Sequence, residues 1–384
     1  MTNIFPTYQQ YPIDIVAGHD WYLTDNQGND YLDFTSGIGV CNFGYSNETI
    51  IQNVEAQLHK IWHTSNLYES ALVEEVAESL GKESDMLAFF CNSGTEANEA
   101  ALKLARKATG KSTVLAFKHG FHGRTYGAMS VTGNPSVSEG FEPLLPKTVF
   151  AEYNNDVAIE MINQQLAAVI LEVIQGEGGV INGQATWLQQ VQAACRENGV
   201  LLIIDEVQTG MGRTGSKFAY EHFDLDPDIV TVAKGIANGL PLGVMLGKRH
   251  LASAFGPNSH GTTFGGNKMS LAAAKGVLEQ LTPDFLTIVN DKAEVVWQFL
   301  SDEIASLPVV ESVSGKGLMI GIHLPTTLKV QDIIKQLQED NLLTLSAHQN
   351  TLRLLPPLVM PQAELLQGLN KIKKVLQRVA VTEV

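Results

Sequence analysis

The chain has 384 residues, 44% of them hydrophobic and 17% charged, which suits a globular protein with more than one core, since single cores stop growing near about 250–300 residues. Its 41 acidic against 26 basic residues leave a net charge of −15, which argues against the concentrated basic face that nucleic-acid binding requires. Cys41, Cys91 and Cys195 are odd in number and far apart, so they outline neither a disulfide framework nor a zinc motif; with no basic-then-apolar leader and no apolar run near the roughly 18–20 residues of a membrane span, the expectation is a cytoplasmic protein without membrane contact.

In chain order, Trp21–Thr24, Asn26–Asn29 and Tyr31–Phe34 read as strand, turn and strand, followed by the Gly-rich Thr35–Val40, which is either a plain turn or a place where backbone approaches a ligand. Ile50, Ile51, Val54, Leu58 and Ile61 carry helical spacing. Beyond Asn66, short apolar runs alternate with helices: Leu72–Leu80, the run Met86–Phe90, the Ala-rich helix Ala97–Ala108, runs at Ser112–Phe117, Thr148–Ala151 and Ala167–Glu172, the helix Trp187–Asn198, then runs at Val200–Ile204 and Ile229–Ala233. Such alternation predicts an open, mainly parallel sheet covered by helices on both faces. After Leu281–Pro283 the rhythm changes to a long helix over Phe285–Ser306, strands near Val309–Ser314 and Met319–His323, and helices at Val330–Asp340 and Pro361–Val379. The expected organisation is an N-terminal segment, residues 1–60, packing with a small C-terminal α+β domain, residues 285–384, around a large α/β domain, residues 61–284.

Strand ends of a parallel sheet face its ligand. Asp205 closes one buried run and Lys234 follows the next; the pair either caps two core strands or pins a cofactor between a carboxylate and an amine. Ser93-Gly94-Thr95-Glu96 has the spacing of a capping box; it is a cap alone, or a cap that also offers free N–H groups and a positive dipole end to an anion such as phosphate. Lys118–Arg124 holds two histidines, Phe121 and Arg124 among glycines. Without acid or sulfur beside them the histidines do not read as a metal site; the alternatives are a surface loop, or one offering Phe121 for stacking and Arg124 for a carboxylate. Gly210-Met211-Gly212-Arg213-Thr214-Gly215 matches the dinucleotide fingerprint in letters only, because Glu206–Thr209 separate it from the preceding strand. Glu172–Gly179 brings acids to the same sheet edge, His260–Asn267 is a second Gly/Thr loop, and Arg353 stands in an apolar context before Leu354-Leu355-Pro356-Pro357, where an arginine requires a partner or an anionic ligand.

Taken together, and in this order along nearly the whole chain, these stretches resemble the class III, fold-type I pyridoxal-phosphate-dependent aminotransferases, of the acetylornithine aminotransferase kind. The resemblance implies a large mainly parallel sheet domain, a smaller α+β domain built from both termini, and pyridoxal 5'-phosphate as cofactor. It makes Lys234 the lysine that joins the cofactor's aldehyde and moves protons, and Asp205 the partner of the pyridine nitrogen. Val207 and Phe121 would cover the two ring faces, Gln208 would meet the phenolic oxygen, and Ser93, Gly94 and Thr95 would hold the phosphate. Thr263 would reach the phosphate of a second subunit, which implies a homodimer with shared sites. Arg124, with Thr262 nearby, would bind the donor's carboxylate, Arg353 the α-carboxylate of glutamate or 2-oxoglutarate, and Glu177 would pair with Arg353 when the other donor is bound. No metal is implied.

Three positions depart from the family's pattern: Gly44-Tyr45-Ser46-Asn47 stands for its Gly-His-x-His-Pro, Val173 for the proline after Glu172, and Lys268 for the proline after Asn267. Ile38 falls where ornithine δ-aminotransferases carry a tyrosine for the free α-amino acid end, so it favours an acylated or absent α-amine. The reaction so implied moves the terminal amino group of N2-acetylornithine to 2-oxoglutarate, giving N-acetylglutamate 5-semialdehyde and glutamate in arginine biosynthesis. Succinylornithine, succinyl-diaminopimelate, 4-aminobutyrate and ornithine remain alternative donors, and an aminomutase the alternative reaction.

Overall fold

The computed structural model describes residues 3–382. Its centre is a seven-stranded sheet in the order Met86–Cys91, Gly243–Lys248, Ile229–Val232, Leu201–Asp205, Leu166–Leu171, Thr113–Phe117, Thr148–Ala151. Leu166–Leu171 is buried at every position, as expected of a strand covered on both faces. Truncating a side chain such as Ile203, fully buried here, costs about 2–5 kcal/mol through lost transfer energy and the cavity left behind. Gly243–Lys248 runs antiparallel to both neighbours, while the other pairings are parallel. The sequence reading misses this strand because glycines interrupt its short apolar run.

Ser93 caps the helix Gly94–Thr109, its hydroxyl accepting from the Glu96 amide, while the Glu96 carboxylate reaches back to the amide of Asn92. The capping box therefore forms with its return bond one residue further out. On the opposite end of the same strand layer, Ala185–Asn198 packs Trp187, Leu188 and Val191 into the core.

Both termini build the second layer. Strands Ile15–His19, Tyr22–Asp25 and Asp30–Asp33 form a meander whose last strand pairs in parallel with Leu342–Leu343. The first of these has no buried residue, so no hydrophobic pattern announces it. Ser312–Lys316, Met319–His323, Thr351–Leu354 and Leu345–Ala347 form an antiparallel sheet, with the first strand three residues later than expected. The long helix begins at Pro283, runs to Phe299 and finishes in a π-helical turn, Leu300–Ile304. Leu32 and Phe34 join this smaller core, whereas Phe43 and Ile50 join the larger one. Among the described residues no helix is long and apolar enough to cross a membrane.

Candidate active site

Five strands deliver their C-terminal loops to one edge of the large sheet, where a cavity of about 480 Å³ lies. Its lining contains Ser93, Gly94, Thr95, Phe121, Arg124, Glu177, Asp205, Val207, Gln208 and Lys234, residues dispersed over a third of the chain. Only a parallel sheet with crossover helices brings such distant strand ends together.

Asp205 sits at one wall, buried. Its Oδ2 accepts from His122 Nδ1 and Asn98 Nδ2, both at 2.8 Å, and its Oδ1 accepts from the Val207 amide at 3.0 Å. Asn98 in turn accepts from Thr231. Burial opposes the charged form of His122, yet the hydrogen bond and charge of Asp205, joined by the charge of Glu172, hold it above the ordinary histidine value. Burial pushes the Glu172 carboxyl up to about 7; its two oxygens accept from the Phe121 and Gly176 amides, tying the aromatic loop to the turn that carries Glu177.

Lys234 follows the strand Ile229–Val232 in a left-handed conformation, φ 49°, at a cost of about 1–3 kcal/mol for a residue with a side chain. The neighbouring Gly235 cannot be larger, because a Cβ there would meet Asn42 at 2.5 Å. Burial lowers the Lys234 amine below its ordinary value, with the Arg353 charge adding to this and Glu177, Glu172 and Asp205 opposing it. Desolvation of this kind favours the neutral, nucleophilic form of an amine over its charged form.

Across the cavity Arg353 Nη1 donates to Glu177 Oε1 at 2.6 Å and to Gln208 Oε1 at 3.2 Å, and Nη2 to the Ser346 carbonyl at 3.3 Å. Arg353 Nε is buried without a partner. Burial opposes the Glu177 carboxylate, but Arg353 and Lys234 outweigh it and lower its pKa. Gln208 thus stands between this pair and Asp205. Arg124 is exposed, with its guanidinium 5.8 Å from the Phe121 ring centre.

The N-terminus of the helix Gly94–Thr109 opens into the same cavity, with unpaired N–H groups at Gly94 and Thr95. A Cβ on Gly94 would lie 2.8 Å from both Val207 methyls, and one on Gly123 would collide with Thr95, so both glycines are required by close approach. A buried acid at one wall, a desolvated amine, and an anion-binding helix start at the floor form a donor set that fits pyridoxal phosphate: Asp205 for the ring nitrogen, Lys234 for the aldehyde, Ser93–Thr95 for the phosphate.

Four expected site residues, Thr262, Thr263, Ile38 and Arg353, do not line this cavity, although Arg353 bonds to Glu177 and Gln208, which do. Thr262 lines a separate groove with Asn66 and Tyr68 and accepts from Asn92, and Thr263 is exposed beside it, so neither meets Arg124 within this subunit. Ile38, 42% exposed, lines an adjoining cavity of about 940 Å³ shared with Tyr8, Ser346 and Arg353. Conversely, sequence reasoning overlooked Asn98, whose signal was a polar residue on the buried face of an Ala-rich helix, and it considered His122 only as a metal ligand. The His122 ring is committed to Asp205, and His119 stacks on His348 at 5.0 Å.

The family model "Aminotransferase class-III" matches residues 4–376. A curated acetylornithine aminotransferase of Lactiplantibacillus plantarum is 60% identical over 376 residues, covering 98% of this chain and 97% of the relative; one from Bacillus subtilis is 46% identical over 380 residues, covering 98% of each. Among solved structures, the N-acetylornithine aminotransferase of Stenotrophomonas maltophilia superposes with a TM-score of 0.84 at 30% identity, over 97% of this chain and 98% of that one. The ornithine aminotransferase of Toxoplasma gondii superposes with a TM-score of 0.94 at 26% identity, over 98% and 93%.

Proposed function

We propose, from the premise that this chain belongs to the class III aminotransferase family, that it exchanges the δ-amino group of N2-acetylornithine with the keto group of 2-oxoglutarate, yielding N-acetylglutamate 5-semialdehyde and glutamate. The observation that carries this reading is the Arg353–Glu177 pair at 2.6 Å, in which Glu177 lines the same cavity as Lys234 and Asp205. One carboxylate-binding arginine is exposed at the entrance, Arg124, and a second is retired on an internal acid. That asymmetry suits an enzyme whose donor has a single carboxylate, far from the reacting carbon, and whose acceptor has a second one beside its keto carbon. The names of the full-length relatives support the acyl donor, and Ile38 beside the adjoining cavity offers an apolar wall and space for an acyl group.

Pyridoxal phosphate is the family's cofactor, and when bound it supplies the aldehyde that takes up the amino group and a ring that accepts electron density from the substrate carbon. Ser93, Gly94 and Thr95 would anchor the phosphate, and Asp205 would keep the ring nitrogen protonated, with His122 and Asn98 fixing its carboxylate. Phe121 and Val207 would confine the ring between them. The Lys234 amine would take the proton from the substrate carbon that bears nitrogen and deliver it to the carbon of the former aldehyde, as general base and then general acid. In the donor half of the cycle Arg353 stays on Glu177; in the acceptor half it turns to the α-carboxylate of 2-oxoglutarate while Arg124 holds the other.

A homodimer completes the site in this reading, because Thr263 is exposed next to a face bearing Leu67, Tyr68 and Phe264 at 90%, 72% and 60% exposure, an apolar surface that a second copy would cover. We place the large domain at residues 61–284 and the small one at 285–384 with the N-terminal strands, the helix Glu48–Leu58 riding on Lys268–Gln280 of the former. The working compartment is the cytoplasm. The deciding assay measures glutamate formed from 2-oxoglutarate with N2-acetylornithine, ornithine and 4-aminobutyrate in parallel. Acetylornithine is expected to react fastest; glutamate from 4-aminobutyrate but none from acetylornithine refutes the assignment.

A further inference from the structure

No residue of the Gly210–Gly215 stretch lines the candidate cavity, and its Arg213 is fully buried. The stretch is a tight turn wedged between domains: a Cβ on Gly212 would meet Leu281 and Leu358, and one on Gly215 would collide with Asn290. Arg213 Nη1 donates to the carbonyls of Leu318 at 3.0 Å and Pro356 at 2.6 Å, and Nη2 donates to Asn42 Oδ1 at 2.6 Å. Asn42 closes the circle by donating to the Met211 carbonyl. One guanidinium therefore joins the N-terminal segment, the large domain and the small domain.

On the small-domain side it holds the turn before Met319–His323, through Leu318, and the exit of the strand that carries Arg353, through Pro356. The Leu355 amide donates to the Phe34 carbonyl at 2.7 Å, the Ser36 hydroxyl donates to the Leu355 carbonyl at 2.5 Å, and the Leu358 amide donates to the Asn42 carbonyl at 2.7 Å. Lys292, half-buried on the helix Pro283–Phe299, donates to the carbonyls of Leu358 at 2.5 Å and Met360 at 3.1 Å. Two cations thus grip three carbonyls within Pro356–Met360. The other side of Arg353 is fixed by strand pairing, opposite Gly321 and Leu345. The Arg353 side chain, by contrast, bonds mainly to the movable side chains of Glu177 and Gln208 rather than to fixed backbone carbonyls.

Burying a guanidinium against neutral oxygens is a poor way to gain stability, since an apolar residue of similar volume does as well or better. What an apolar residue cannot do is lock three chain stretches in one register. We propose that Arg213, backed by Lys292, is a positioning residue for Arg353: it holds the backbone of the Arg353 strand still against both domains. Arg353 then exchanges Glu177 for a substrate carboxylate by turning its side chain alone. This rests on Arg353 being the ligand of the acceptor's carboxylate.

The test compares holoenzymes of wild type, Arg213→Met, Arg213→Lys, Lys292→Met and Arg353→Ala. The donor and acceptor half-reactions are followed separately in single turnovers, and glutarate, an unreactive dicarboxylate, is titrated calorimetrically into the aminated enzyme. Displacing a binding group by a fraction of an ångström weakens its ligand steeply, so Arg213→Met is expected to raise the 2-oxoglutarate KM and the glutarate Kd about tenfold or more, with the donor half-reaction changed less than about twofold. Arg213→Lys, which keeps a donor but not the fork, is expected to recover part of the loss. Lys292→Met is expected to show the same split at about threefold, and it decides the matter alone if Arg213→Met does not fold. Equal losses in both half-reactions overturn the proposal, because they signal a general packing defect. Unchanged glutarate affinity in Arg213→Met and Lys292→Met, with affinity lost in Arg353→Ala, overturns it too. If Arg353→Ala itself keeps glutarate affinity, the assignment of Arg353 falls and the clamp falls with it.

Discussion

Two carboxylates, each taken with its partners as one wall of the cavity that holds Lys234, are held in opposite ways. Asp205 is buried, and His122, Asn98 and the Val207 amide donate to both of its oxygens, with Thr231 bracing Asn98 behind them. Glu177 keeps a side chain 35% exposed and depends on one close partner, Arg353, with a long contact to Gln208. A carboxylate whose donors are all fixed parts of the core stays where it is. One paired with a single long side chain, whose own Nε lacks a partner, can give that side chain up. In the proposed reaction the Asp205 wall would serve every turnover identically, and the Glu177 wall would distinguish between substrates.

Breaking the element common to both walls should have the largest effect. Lys234→Ala is expected to lower kcat about 10⁴-fold or more in both half-reactions alike and to abolish the visible absorption of the lysine-bound cofactor; retained turnover would remove Lys234 from the mechanism. Next, Asp205→Asn should cost about 10²–10³-fold, again in both halves, because it withdraws a fixed charge from a site that water does not screen. A loss confined to one half would erase the contrast between the walls.

At the exchangeable wall the losses should be one-sided. Glu177→Gln leaves the Arg353 charge uncompensated when the monocarboxylate donor is bound, so the donor half-reaction is expected to slow about thirtyfold while the acceptor half changes less than about threefold. Its pH dependence has a definite sign. The Glu177 pKa is lowered in the folded protein, so its pairing contributes stability above the unfolded carboxyl pKa and loses it as pH falls through the folded value. The Tm difference between wild type and Glu177→Gln should therefore be constant from neutral pH down to about 5 and shrink only below about 4.5; a difference that fades between pH 8 and 6 would contradict this. The smallest change tests the rigidity of the first wall. Gly94→Ala places a methyl 2.8 Å from both Val207 methyls, and the forced shift should weaken cofactor affinity about fivefold, read by equilibrium titration.

Much of this was legible before any coordinates. The buried runs Leu166–Leu171 and Leu201–Asp205, the cap at Ser93 and the crossover helices carry their structure in local pattern, because burial on both faces and hydrogen-bonded helix ends act over a few residues. Family resemblance extended that reading to Lys234, Asp205 and Glu177, which the fold brings around one cavity, and to Arg353, which bonds to Glu177 from the adjoining one. The strand Ile15–His19 has no buried side chain and Gly243–Lys248 is broken by glycine, so neither produced a period to read.

By itself, then, the sequence determined the α/β class and the helix that presents free N–H groups, and it singled out Asp205 and Lys234 as an acid and an amine at the ends of two buried runs. Tertiary structure alone decided that His122 and Asn98 stand behind Asp205 and that Thr262 and Thr263 lie outside this subunit's cavity. It also decided that Arg213 joins the N-terminal segment to both domains. Local pattern depends on neighbours along the chain, whereas these placements depend on residues 24 to 171 positions apart meeting in space, and no spacing within one segment encodes such a meeting.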